Sequence, residues 1–472
     1  MDIVEIRKMT VGDLWLNSTA YENVGYIVDN FGNRFMGTES ERKTKDYLLS
    51  LFKQYGLENV HAEPFNYTGW KRGKCAVEMV HPVKRSLWSS ALPHSASTSF
   101  GGIEARVIDV ESGTKRDFER KSNEISGNMV LAPASSSHHV DMAARYGWAV
   151  EHKAVGCIFR NEAPGQLIRT GAVATGYRNT GVIPAISVSY ETGAFMERQM
   201  RSGQIIVKME IENSTLPNTT GWNIVGDIIG EGGTSSMVMM GTHYDGHDIG
   251  QEAASDNILG VAVMLDAARA LAKFKGKFKK TIRLVAFGND ECLTVGTVNY
   301  VAQHEKEMQN VDVMIGDGLG RNFIDGLCIS AGPPALARPL LKLLNDWKIN
   351  LPVEETDEDW VSATHFLHFA LAGIPNIDFE RRHRKSTWHG TEPRDETNRH
   401  HTTTDTFDKI DPVLVKQHAI LLAELVLALV NMPEPLLKHP TRDEIMQSLK
   451  SHGYDEILKA QNRWHPGSIL GD

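Results

Sequence analysis

The chain has 472 residues, with 50 basic and 59 acidic side chains and a net charge of −9. That length exceeds one simple core and predicts two or more compact units. The acidic balance with no basic stripe argues against a nucleic-acid partner, and no uninterrupted apolar run reaches the length of a membrane span. The start, MDIVEIRKMTVGDL, lacks the basic and apolar regions of a secretory signal, so the chain reads as cytoplasmic.

In chain order, apolar periodicity predicts helices over 20–31 and 39–55, then a strand over 60–67. Between about 86 and 215 the character changes. A Ser-rich stretch, SSALPHSASTSFGG, leads into the short strand-like runs ARVIDV, NMVLA, AVGCIF and AISVS, with a helix over 142–155. This predicts an inserted, β-rich domain at 86–215 that splits a catalytic domain composed of 1–85 and 216–432. From 223 onward strands and helices alternate, with helices at 258–272, 336–347 and 412–430. The fold class is therefore α/β, a mostly parallel sheet flanked by helices. Residues 433–472 read as a C-terminal helical extension with one helix over 442–458, packed on the body or across a homodimer.

The chemistry-bearing residues fall at strand ends, where open α/β sheets bind ligands. The run 236–240 (SMVMM) feeds into Gly-Thr-His243-Tyr-Asp245. Asp245 is placed to accept a hydrogen bond from the second imidazole nitrogen of His243. Asp256 precedes a helix, either as its N-cap or as a metal-bridging carboxylate. The strand 281–287 (TIRLVAF) ends in Gly-Asn-Asp290-Glu291. Two adjacent carboxylates at a buried strand mouth repel one another and resist ionisation; a dication removes that cost. One could then bind metal while the other takes a proton from water. An exposed acidic loop is the alternative. A third run, 311–315, enters Gly316-Asp317-Gly318, and HHTTTDT at 400–406 supplies His401.

Five ordered blocks carry a resemblance: GTHYDGHDIGQEAASDN, RLVAFGNDECLTVGTVNYV, DVMIGDG, AGIP and HHTTTDTFDKIDP. Together they resemble the co-catalytic di-zinc exopeptidases, the family of bacterial leucyl aminopeptidases, plasma glutamate carboxypeptidase and glutaminyl cyclases. DIGQ and HHTTTDT are most like the plasma glutamate carboxypeptidase branch. The resemblance spans roughly residues 20–430. It implies two zinc ions per chain, with cobalt or manganese able to fit the same ligands. It places His243 and Asp317 on one ion, Glu291 and His401 on the other, and Asp256 on both, with a cis peptide between Asp256 and Asn257. It implies hydrolysis of an amide or peptide bond in a small substrate by a zinc-activated water. The inserted domain resembles a protease-associated domain, a lid that limits the cleft to small or extended substrates.

Three departures bear on mechanism. The family's general base is normally glutamate, whereas the aligned Asp290 reaches about one C–C bond, roughly 1.5 Å, less far. His247 stands where that branch usually has an aromatic residue; it reads as a solvated loop histidine, with an extra metal ligand as the alternative. The stretch 379–401 is long and charged, and Arg381, Arg382 and Arg384 could clamp a substrate carboxylate. The favoured reading there is a solvated loop balanced by Glu392, Asp395 and Glu396. Trp388 is a candidate for lining a specificity pocket. His365, upstream of AGIP, is either substrate-facing or an ordinary core histidine.

The leading function is thus an exopeptidase of aminopeptidase or dipeptidase type, or an N-acyl amide hydrolase, acting on a small peptide or N-acyl amide. A glutaminyl-cyclase-like acyl transferase would work with one zinc. A non-catalytic binding homologue would have lost ligands, and this chain keeps all five. The four scattered cysteines, with no CxxC pair, read as reduced thiols.

Overall fold

The apolar runs at 236–240, 281–287 and 311–315 all form strands, and they lie at the centre of one of two eight-stranded sheets. The computed structural model describes residues 2–134, 140–174, 176, 180–250, 252–316, 324–330, 337–355, 365–381, 399–436 and 439–463. The first sheet comprises β1 Glu58–Lys71, β2 Ser214–Ile228, β3 Met237–His243, β4 Thr281–Phe287, β5 Val311–Gly316, β6 Ile324–Ser330, β7 Val353–Glu355 and β8 Asn376–Arg381. Their order is β1-β2-β4-β3-β5-β8-β6-β7. The middle strands β4, β3, β5 and β8 are parallel neighbours. Antiparallel pairs, β1 with β2, β2 with β4 and β6 with β8, extend the sheet on either side.

Every residue of β3 and β4 is buried, because helices cover both faces of the sheet. One face packs against the helices Ala20–Phe31, Leu259–Ala272 and Pro412–Val430, and the other against Val295–Gln303 and Phe366–Leu371. Among the described residues Pro412–Val430 is long and apolar enough to cross a bilayer, but 67% of its most apolar window is buried. It packs on Leu259–Ala272 and Ile3–Asn17 as a core helix does. The helix Ile3–Asn17 was not expected. Only Ile6, Thr10 and Leu14 are buried, while Val4, Met9, Trp15 and Leu16 face outward, so no apolar stripe marks it.

The second sheet is built from strands between Cys75 and Ile211 and begins ahead of residue 86, since Cys75–His81 pairs with Ile206–Ile211. Its strands Ile103–Asp109, Met129–Pro133, Gly156–Arg160 and Ala185–Val188 run parallel. With the helix Met142–Glu151 between them and Tyr190–Ser202 after the last, this unit is itself α/β rather than simply β-rich. The single helix expected over 442–458 is two, Arg442–Ser451 and Tyr454–Ala460, separated at Gly453 with φ +73°. A left-handed residue ends a helix, and glycine adopts it without a Cβ clash. The tail packs on the body: Ile445, Leu449 and Leu458 bury against Leu367 and Ala370. Ile457 and Ala460 reach the core of the second unit, where a Cβ on Gly147 would lie 1.9 Å from Ala460 O.

Outside the central strands, His304 Nε2 lies 3.0 Å from both oxygens of Glu63 and ties the end of the helix Val295–Gln303 to β1. Burial pushes His304 down, but Glu63 outweighs it and leaves the imidazole above its ordinary 6.5. Burial pushes Glu63 up, but His304 outweighs it and leaves the carboxyl below its ordinary 4.5. The His304 contribution is complete below its ordinary value and fades as pH rises through the elevated one; that of Glu63 is complete above its ordinary value and fades as pH falls through the depressed one. Wild type should therefore lose its stability advantage over His304→Gln as pH rises from the ordinary imidazole range through the raised His304 value, read as the denaturant midpoint at each pH.

Candidate metal centre

Register brings the strand ends together. His243 pairs with Phe287, and Gly241 with Gly316, so the C-terminal ends of β3, β4 and β5 are adjacent. A Cβ on Gly316 would lie 1.9 Å from Gly241 O, and one on Gly241 2.4 Å from Met314 Cε. Only glycine allows the backbones this approach. Asp317, Arg382, Arg384 and Trp388 lie outside the described residues, as does the side chain of Arg381.

The strand ends and one loop converge on Asp256. Its Oδ1 is 3.5 Å from His243 Nε2, and its Oδ2 is 3.3 Å from His401 Nε2. Glu291 Oε2 is 3.4 Å from the same His401 nitrogen and 2.9 Å from His247 Nε2. Asp256 does not cap the following helix: it sits in a wide turn, Ala254–Ile258, with non-helical φ −123° and ψ 89°. The Asp256–Asn257 peptide is cis, as the resemblance implies.

His247 is not solvated; it is 3% exposed. Burial pushes it down to about 4, and burial followed by the nearby His247 pushes His401 down as well. Both rings are thus neutral, with lone pairs available. Burial, and then the Asp256 carboxylate, push Glu291 up to about 8. Two buried carboxylates lie beside these two neutral imidazoles, while burial pushes His243 down but Asp245 and Asp256 outweigh it and hold that ring well above its ordinary value; the ligand atoms of His243, Asp256 and Glu291 lie within 4.8 Å of one another. The residues fit a divalent cation.

Two residues that sequence reasoning did not single out, Asp405 and Arg34, hold this arrangement, and Asp245 does more than was expected. Asp245 lies 3.4 Å from His243 Nδ1, but its main partners are the amides of Asp290 and Glu291, each 3.1 Å away. It therefore joins the end of β3 to the end of β4. Asp405 accepts from Ser255 N (2.8 Å), Ser255 Oγ (2.6 Å) and Asp256 N (3.0 Å). Arg34, fully buried, donates to the carbonyls of Gly32, Tyr244, Glu252 and Ala253 and so shapes the loop between His243 and Asp256. Burial pushes it down to about 10, so it stays charged. Asp405 lies inside the quoted HHTTTDT block and could have been found there; Arg34, in an unremarkable turn after a helix, carried no signal.

Arg169, from the second unit, donates to His400 Nδ1 at 2.8 Å. Guanidinium only donates, so the His400 proton sits on Nε2, which faces Asp256 Oδ2 at 3.3 Å. With its Nδ1 lone pair taken by Arg169 and its proton on Nε2, His400 is left out of the ligand set. The neighbouring Thr170 amide donates to His401 O at 3.0 Å, holding a residue whose φ is +60°. Asp290 Oδ1 accepts from Thr297 Oγ1 (2.7 Å) and Thr297 N (3.3 Å), and its Oδ2 lies 3.5 Å from Nδ1 of the buried His365.

Residues 223–426 match the model of peptidase family M28. Over this part the chain is similar to that family. Among curated relatives, Carboxypeptidase Q of Xenopus laevis is 26% identical over 434 residues, covering 88% of this chain and 87% of the relative. Among solved structures, a peptidase M28 precursor from Shewanella amazonensis superposes with a TM-score of 0.75 at 21% identity, over 93% of this chain and 98% of that one. A zinc aminopeptidase from Bacillus subtilis gives 0.64 at 20% identity, over 90% and 96%. Both structures share the fold of this chain over nine-tenths or more of its length. Removing Asp405 frees the amides that orient Asp256. Asp405→Ala should therefore weaken metal binding about 10- to 100-fold, read by chelator competition.

Proposed function

We propose that the chain is a metal-dependent exopeptidase in which His243, Asp256, Glu291, Asp317 and His401 hold two zinc ions, with Asp256 shared between them. One observation carries this reading: Asp256 turns one oxygen toward His243 and the other toward His401, beside a second buried carboxylate. Asp317, next after Gly316, joins the set through the resemblance. Imidazole and carboxylate ligands suit zinc, and the Bacillus subtilis relative is named a zinc aminopeptidase. Two adjacent ions, when bound, lower the pKa of water and polarise the scissile carbonyl. The peptidase family sets the bond class as peptide or amide.

Asp290 is the proton acceptor in this scheme. Burial pushes its carboxyl up, but His365, His243 and the Thr297 hydrogen bond together outweigh burial and leave it below the usual carboxylate range. It is therefore ionised at neutral pH. Thr297 anchors Oδ1, and Oδ2 has no hydrogen-bond partner among the described residues. That anchor fixes a side chain one methylene shorter than glutamate, so that Oδ2 is the atom that receives the proton. Asp290→Asn should lower kcat about 10²- to 10⁴-fold with metal content unchanged; a near-normal kcat would remove Asp290 from this role.

Charge around the centre favours a substrate with a free carboxylate. The nearby acids are already engaged: Asp245 and Asp405 by backbone amides, Asp248 by Arg72, and Glu252 by Phe407 N. Among the described residues, none of these four is left to grip a free ammonium. Arg169, by contrast, bonds an imidazole and pairs with no carboxylate among the described residues. A substrate C-terminus would supply that partner, consistent with curated relatives named Carboxypeptidase Q. Arg169→Gln should raise KM about 10-fold or more for dipeptides and N-acyl amino acids while leaving C-terminally amidated analogues unchanged. A panel in which only free amines are required would instead give the aminopeptidase reading.

A further inference from the structure

We propose that His247 is a direct ligand of the ion held by Glu291 and His401, giving the two metal positions unequal coordination. This rests on the metal centre proposed above. His247 Nε2 lies 2.9 Å from Glu291 Oε2, yet the pair lacks hydrogen-bond geometry. Neither ring nitrogen has a hydrogen-bond partner among the described residues, although the side chain is buried. An imidazole buried with both nitrogens unsatisfied is costly, and ligation would satisfy one of them. His401 approaches the same Glu291 oxygen at 3.4 Å, with its ring 4.1 Å from that of His247 and inclined at 66°. The ligand atoms of His247, Glu291 and His401 lie within 4.8 Å of one another. Two imidazole nitrogens converging on one carboxylate oxygen are what a shared cation produces.

The loop is built to present this ring. Arg34 fixes the carbonyls on either side of it, at Tyr244 and at Glu252 and Ala253. A Cβ on Gly246 would lie 2.4 Å from Ala253 Cβ, so the loop closes tightly just before His247. With Asp256 shared, the Glu291 ion then has four protein ligands, two nitrogen and two oxygen, which is the closed set of a firmly retained zinc. The other ion, with His243, Asp256 and Asp317, has three and keeps an open position for chemistry. The centre becomes one anchored ion beside one working ion.

The test is metal retention in the full chain. Wild type loaded with zinc should give up its ions to a chelator in two separated steps. His247→Ala and His247→Asn should weaken the tighter step by about 10-fold or more, leave the weaker step unchanged and alter the visible spectrum of the cobalt-loaded protein. Apo-protein melting curves identify any variant that fails to fold, in which case the other variant decides. Wild-type chelator steps and an unchanged cobalt spectrum in both variants would overturn the assignment of His247. Glu291→Gln separates the two levels: if it loses the tighter ion while the His247 variants keep it, only this inference fails. If Glu291→Gln also keeps both ions, the metal centre itself is misassigned.

Discussion

Asp256 and Glu291 place two carboxylates in one buried spot, and the surrounding structure answers the electrostatic demand that follows. Burial and mutual repulsion push Glu291 up to about 8, so the pair cannot both be ionised at neutral pH without added positive charge. The neutral rings of His247 and His401 offer lone pairs and no charge of their own. Arg34 is the fixed cation behind the loop, but its guanidinium is spent on four carbonyls. His243, held well above its ordinary value by Asp245 and Asp256, answers part of that demand, and a divalent cation with the imidazoles as ligands would answer the rest.

Geometry is supplied by the sheet. Parallel pairing of β3 with β4 and β5 puts three strand ends side by side, and glycines at 241 and 316 let those backbones close up. Asp245 then stitches β3 to the turn after β4 through the amides of Asp290 and Glu291, so the positions of the candidate base and of one ligand depend on the same carboxylate. Asp405 performs the equivalent service for Asp256 from a distant part of the chain. The reacting groups thus sit on a frame of backbone hydrogen bonds and not on freely rotating loops.

What was legible in the sequence was what local pattern encodes. Short apolar runs ending in His243, Glu291 and Gly316 are strands because both faces are covered, and the helices Ala20–Phe31 and Glu39–Gln54 carry apolar stripes that mark them. The helix Ile3–Asn17 has no such stripe and was invisible. His247 read as solvated because its loop is polar, whereas its burial is imposed by Arg34, more than two hundred positions away in the chain. Arg169 and Asp405 act through long-range contacts of the same kind. The break at Gly453 was overlooked, since the apolar spacing of Ile445, Leu449 and Leu458 runs on through it.

The bond from the Thr170 amide to the His401 carbonyl, with Arg169 beside it on His400, joins the second unit to the metal loop by main chain as well as side chain. Whatever fixes His401 must also steady the segment around Thr170, and whatever lifts that segment must loosen His401. By thermodynamic reciprocity, ion occupancy at the metal loop and the seating of that segment against it are linked.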